Sequence, residues 1–193
     1  ARVVATHQSP PLKAVVDVIN KDSHNLYAEQ VLKTLGVVFP DTTSDAPPGS
    51  AAMGWARGRH SLGTARVDTA HIQLTDGSGL SRMNFIAPEM TTRLLTYMWQ
   101  HPDDSTRTAY VRSLPVAGID GSLKNRMIGT PAAGNVRAKT GTFTGASTLS
   151  GYVNSSRGTP LAFSVMVNMY PGSSAAARRL QDAVAETLAR YRR

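Results

Sequence analysis

The sequence predicts an α/β (α+β) fold in which an antiparallel sheet is flanked by helices. Three observations carry this. Residues 136–170 hold three consecutive strand-like segments parted by short turns, an alanine-rich amphipathic stretch follows them, and helical periodicity marks residues 10–35 and 88–101.

Taken in chain order, "PPLKAVVDVINKDSHNLYAEQVLKTLG" places apolar residues at helical spacing on both sides of a polar knot, "NKDSHN". This predicts two helices with a short break, the second running from about Asn25 to Leu35 and stopping at Gly36. Residues 40–56 are rich in Pro, Ser, Thr and Gly and read as a loop. "TAHIQLTDGSGLSRMNFIAP" gives an extended segment and a glycine-rich turn. The next helix is "PEMTTRLLTYMWQH", with Pro88 and Glu89 suited to its first turn. Residues 111–135 read as irregular.

Two strands are then predicted, Val136 to Phe143 and Ser147 to Asn154, joined by a Thr-Gly turn. The near-continuous apolar run "PLAFSVMVNMY" is a third, of central-strand type. The closing stretch "SSAAARRLQDAVAETLARYRR" is a helix that its serines can cap, holding Arg178, Arg179, Arg190, Arg192 and Arg193. No internal repeat is present.

Composition narrows the chemistry. The 193 residues are 41% hydrophobic, ample for a buried core, and the longest apolar stretches fall far short of a bilayer span. With no cysteine, disulfides, thiolate metal sites and cysteine nucleophiles are all excluded. His7, His24, His60, His71 and His101 are scattered without i, i+4 pairing, which argues against a metal cluster. The net charge of +8 invites an anionic partner, yet no nucleic-acid motif accompanies it and the cations read as a solvated face.

Three stretches can carry chemistry. In "KTGT", Lys139 sits in a strand; the plain reading is a solvent-facing lysine at a sheet edge. The functional reading starts from Gly141, whose missing Cβ lets a substrate backbone lie along the strand. Thr140 and Thr142 alternate with Lys139 and Gly141, and the Thr142 N–H can aim at an oxyanion. A phosphate-binding loop is ruled out because Ala138 and Ala133 stand where its glycines belong. Ser23-His24-Asn25, at the break between helices, reads alone as N-caps; beside a lysine, its hydroxyl can move protons and its amide can hold a peptide. The turn "DGSGLSR" reads as a loop held by Asp76, with Arg82 suited to bidentate carboxylate recognition.

With these stretches in hand the sequence resembles the serine acyltransferases that include penicillin-binding proteins and class A β-lactamases, whose motifs are S-x-x-K, S-x-N and K-T-G. More narrowly, "SHNLYAEQVLKTLG", "DGSGLSR" and "VRAKTGTFTGASTLSGYV" resemble the D-alanyl-D-alanine carboxypeptidase/endopeptidase branch, the class C low-molecular-mass penicillin-binding proteins, over nearly the whole chain. The resemblance implies a β-lactamase/transpeptidase-like fold of which residues 1–193 are the C-terminal part. It implies that Ser23 shuttles a proton to the leaving amine, that Asn25 contacts substrate and lysine, and that Lys139 with Thr140 binds the terminal carboxylate of D-alanine. The Thr142 N–H would be half of an oxyanion hole, and Ser78, Leu80 and Arg82 would line a pocket for the stem-peptide side chain. It further implies a peptidoglycan substrate, capture by β-lactams, a periplasmic or cell-surface setting, and no metal or cofactor. Carboxypeptidase and endopeptidase action both remain open.

One motif is missing. No serine here has lysine three residues later; Ser9 precedes Lys13 by four, with two prolines between. The expectation is therefore a C-terminal fragment, inactive alone, with S-x-x-K and the first strands upstream. The alternatives are a non-catalytic peptidoglycan- or penicillin-binding relative and a basic structural module whose motifs coincide by chance.

Overall fold

The computed structural model describes residues 3–192. Helices α1 (Leu12–Lys21) and α2 (Asn25–Val38) are followed by α3 (Ala51–Thr64), α4 (Pro88–Trp99) and α5 (Asp104–Ser113). A single 3-10 turn, Gly121–Leu123, leads to strands β1 (Arg137–Phe143), β2 (Ala146–Asn154) and β3 (Pro160–Asn168), and α6 (Ala175–Ala189) closes the chain. The sheet is antiparallel in the order β1-β2-β3, with Lys139 opposite Ser150 and Gly141 opposite Thr148.

The alternation of side chains along a strand gives the sheet two buried faces. One packs on α6: Leu149, Val153 and Phe163 meet Ala185 and Ala189, with Val136, Ala138 and Leu123 extending the cluster under β1. Each large side chain buried there stabilises the fold by roughly 1.5–3 kcal/mol. Gln181, fully buried on α6, donates to Ser147 Oγ at 3.1 Å and accepts from Arg126, whose guanidinium also pairs with Asp182 at 2.6 Å. The opposite face meets the helices, where Tyr152 packs with Leu95 and Leu114 and its hydroxyl donates to the Leu95 carbonyl at 2.7 Å. Side chains with the parity of Tyr152, Lys139 included, therefore face the helical layer.

Several local expectations change. The second helix does not stop at Gly36 but runs to Val38, because Gly36 and Gly54 let α2 and α3 cross in contact. A Cβ on Gly36 would lie 2.8 Å from Gly54 N, and one on Gly54 would overlap the Leu32 carbonyl. Residues 51–56, expected to be loop, open α3, which Ser50 caps by accepting the Met53 N–H at 3.0 Å. Residues 111–113 end α5, a helix started by Asp103, which accepts from the Ser105 and Thr106 N–H groups. Ser174 stands at the N-cap of α6 without a side-chain bond, and α6 ends at Ala189. Arg190 and Arg192 thus follow the helix, and Arg193 lies outside the described residues. No helix among the described residues is long and apolar enough to cross a membrane.

Candidate active site

The break between α1 and α2 is a strained turn. Ser23 is held at φ +55°, a left-handed conformation that costs a non-glycine residue on the order of 1 kcal/mol. The capping role belongs to His24 instead, whose Nδ1 accepts the Tyr27 N–H at 3.3 Å. Ser23 and Asn25 are left exposed, and among the described residues the Asn25 side chain makes no hydrogen bond. The Ser23 hydroxyl therefore takes no part in capping α2.

β1 faces this turn. Lys139 Nζ donates to Ser23 Oγ at 2.7 Å, closing a contact across 116 positions of sequence, and to the Thr140 carbonyl at 2.9 Å. Among the described residues no carboxylate pairs with it. Burial holds the ammonium below the ordinary lysine value, so it lies closer to the range in which a lysine can exchange protons.

The outer edge of β1 is covered only over its first residues. Ala138 N donates to the Pro115 carbonyl at 2.9 Å, and Ala117 N donates to the Val136 carbonyl at 3.0 Å. In an antiparallel ladder, residues of one parity turn both main-chain groups the same way. Lys139, Gly141 and Phe143 therefore bond β2, while the N–H groups of Thr140 and Thr142 point to the uncovered edge. An extended peptide can be added there, with the Thr142 N–H free to meet a developing negative charge. Gly141 keeps this stretch thin: its added Cβ would meet Thr148 Oγ1 at 2.6 Å.

The third stretch packs on α2. Gly77 lies so close to α2 that a Cβ would come within 2.6 Å of the Ala28 carbonyl oxygen, and its N–H donates to Glu29 at 2.7 Å. Asp76 organises the loop by accepting from Gly79 N, Ser81 N, Ser78 Oγ and Asn84 Nδ2. Burial pushes its carboxyl up, but these hydrogen bonds outweigh it and leave the group below the ordinary aspartate value. Arg82 does not stand free: its guanidinium lies 5.8 Å from the Phe143 ring centroid, which brings the loop to the far end of β1. Leu80 is exposed, and neither it nor Ser78 bonds to Ser23 or β1 among the described residues.

Sequence reasoning passed over Ser122, Lys21 and Asp120. The Thr140 hydroxyl donates to Ser122 Oγ at 2.8 Å, and Lys21 pairs with Asp120 at 2.7 Å. A serine directly after "DG" carries no sequence signal of its own, and the pairing joins residues 99 positions apart.

The chain matches the D-Ala-D-Ala carboxypeptidase 3 (S13) family over residues 1–191. It is 40% identical, over 99% of its length, to a D-alanyl-D-alanine carboxypeptidase of an Actinomadura species, of which it covers 34%. Among solved structures it resembles penicillin-binding protein 4 of Haemophilus influenzae, with a TM-score of 0.85, 26% identity, and coverage of 96% of this chain and 41% of that one. It also resembles an extended-spectrum β-lactamase, TLA-1, with a TM-score of 0.68, 14% identity, and coverage of 92% and 63%. These likenesses show a transpeptidase/β-lactamase fold. The chain spans about a third of the length of the curated relatives it matches.

Proposed function

The chain belongs to the D-Ala-D-Ala carboxypeptidase 3 (S13) family, and from that premise we propose that it forms one wall of the acyl-transfer site of a serine-type D-Ala-D-Ala carboxypeptidase/endopeptidase. The nucleophile in this reading is the serine of an S-x-x-K turn borne by a part of the protein outside these 193 residues. The substrate is a peptidoglycan stem peptide ending in D-Ala-D-Ala, met in the periplasm or at the cell surface.

The roles follow from where the groups stand. The peptide lies extended along the open edge of β1, with its terminal carboxylate drawn to Lys139 and Thr140 and its penultimate carbonyl oxygen at the Thr142 N–H. Attack by the serine oxygen, as its proton passes to the lysine of the same S-x-x-K turn, gives a tetrahedral oxyanion, which that N–H stabilises. Ser23 Oγ then passes its proton to the departing amine of D-alanine, and Lys139, 2.7 Å away, reprotonates it. The C–N bond breaks, the acyl chain remains on the serine, and water attacks the ester to release the shortened peptide. Asn25, whose side chain makes no hydrogen bond among the described residues, holds the substrate amide. Ser78, Leu80 and Arg82 receive the stem-peptide side chain. A β-lactam, whose strained amide imitates the scissile bond, acylates the same serine, and one relative's structure is a complex with such a compound. Every step uses protein groups, so the reading includes no cofactor.

The contact between Lys139 Nζ and Ser23 Oγ is the observation that carries this reading. It is tested by incubating full-length protein with a pentapeptide ending in D-Ala-D-Ala and measuring free D-alanine. Release by the full-length protein, and none by residues 1–193 alone, is the expected result; no release by the full-length protein defeats the reading. The alternative reading is a non-catalytic peptidoglycan- or penicillin-binding relative. Failure of labelled penicillin to attach to the full-length protein would select it.

A further inference from the structure

Two ionic residues in this structure are each followed, two positions later, by a serine that bonds β1. Lys21 precedes Ser23, which accepts from Lys139; Asp120 precedes Ser122, which accepts from Thr140. The two ionic residues bond each other. Lys21 Nζ reaches Asp120 Oδ2 at 2.7 Å, Oδ1 at 2.9 Å and the Leu114 carbonyl at 2.7 Å, and Asp120 Oδ1 also accepts the Val116 N–H at 2.8 Å. One clasp thus fixes two hydroxyls against consecutive residues of the same strand.

The turn bearing Ser122 has little freedom. Gly121 adopts φ +55°, and a Cβ there would come within 2.7 Å of the Lys21 carbonyl oxygen and 3.1 Å of Pro115 Cβ. Ser122 is nevertheless exposed, and its Oγ, while accepting from Thr140, donates to nothing among the described residues. A hydrogen bond between two solvent-accessible hydroxyls adds little to stability, because water replaces either partner. The edge of β1 is already held beside it by the main-chain bond between Ala138 and Pro115. What the bond does accomplish is direction: it commits the Thr140 proton to Ser122 and leaves the Ser122 proton available to solvent beside β1.

We infer that Ser122 is a further substrate-binding residue, donating to the terminal carboxylate beside Lys139, and that the Lys21–Asp120 ion pair is the device that positions it. This rests on the acyl-transfer reading above. The carboxylate then receives one ammonium and one hydroxyl donor, and the Thr140 hydroxyl acts through Ser122.

The test compares acylation of full-length protein by penicillin G, which carries a carboxylate, with acylation by its methyl ester, which does not. Ser122→Ala should slow acylation by the acid about tenfold, the size of one charge-assisted hydrogen bond, and leave the ester within about twofold. Ser122→Thr should restore the acid rate. An equal fall for acid and ester, or no fall for either, overturns the assignment. Asp120→Asn should lower the acid-to-ester ratio in the same direction; a drop in melting temperature with an unchanged ratio would make the clasp structural only. If the unsubstituted protein is acylated by neither compound, the acyl-transfer reading itself fails and this inference falls with it, an outcome distinct from any pattern among the variants.

Discussion

Replacing Lys139 by methionine separates a functional ammonium from a structural one. Methionine keeps the length and apolar stem of the side chain and removes only the charge. In the structure that charge has two neutral acceptors, Ser23 Oγ at 2.7 Å and the Thr140 carbonyl at 2.9 Å. Hydrogen bonds to a charged group contribute about 1.5–3 kcal/mol each, so the pair supplies roughly 3–6 kcal/mol. Against this stands the cost of taking an ammonium partly out of water without a carboxylate, several kcal/mol for a buried ion. The two nearly cancel, and Lys139→Met should change stability by no more than about 1 kcal/mol, with the sign free to favour the variant.

The pH dependence sharpens the comparison. Burial lowers the folded-state pKa of Lys139 below its unfolded value. Between those two values the unfolded chain binds the extra proton, so the stability contribution of Lys139 rises with pH there. Below that window both states are charged and the burial cost is felt in full, so methionine gains most near neutrality and its advantage shrinks on the alkaline side. Acyl transfer should meanwhile fall about a thousandfold or more, matching the loss of roughly 4 kcal/mol of transition-state stabilisation. The assays are thermal melts of full-length protein from pH 6 to 11 and penicillin acylation rates. A loss of more than about 3 kcal/mol, or acylation within tenfold of the unsubstituted protein, would refute the reasoning.

Three further outcomes are expected. Gly151→Ala puts a Cβ onto the Arg137 carbonyl oxygen and 2.5 Å from Ala138 Cα, so β1 must shift; overpacking of this kind costs about 1–3 kcal/mol, and the variant should melt earlier and acylate more slowly. Gly54→Ala drives a methyl into the Leu32 carbonyl and should loosen α2 from α3, read as faster amide exchange in both helices. For Asp120, burial pushes the carboxyl up, but the Lys21 and Val116 hydrogen bonds and the charges of Lys21 and Arg137 outweigh it and leave it lowered. Its contribution is therefore present above the ordinary carboxylate value and lost as pH falls through the lowered one. The acid limb of a melting profile should flatten in Asp120→Asn.

The strands and the two motif stretches were readable in the sequence because each depends on neighbours a few residues away. Alternation and the "PLAFSVMVNMY" run define β1 to β3, and a polar knot between two apolar periods defines the Ser23 turn. Two helices were hidden for physical reasons. α3 carries Gly54, Gly58 and Gly63 and little apolar periodicity, so its helix rests on the Ser50 cap and on packing against α2. α5 is mostly Ser, Thr, Asp and Arg and depends on the Asp103 cap. Gly36 looked like a stop because glycine usually ends helices, whereas here it makes room for a second helix. Ser122 and the Lys21–Asp120 pair were invisible for a related reason: Ser122 meets Thr140 18 positions along the chain, and the ion pair joins residues 99 positions apart.

Intact-mass measurement of the full-length protein after brief exposure to penicillin tests the central claim most directly, run beside Lys139→Ala and Ser23→Ala. The account predicts one covalent adduct per molecule, formed much more slowly in both variants. An unmodified mass for the unsubstituted protein, or an adduct that forms equally fast in all three, would contradict it.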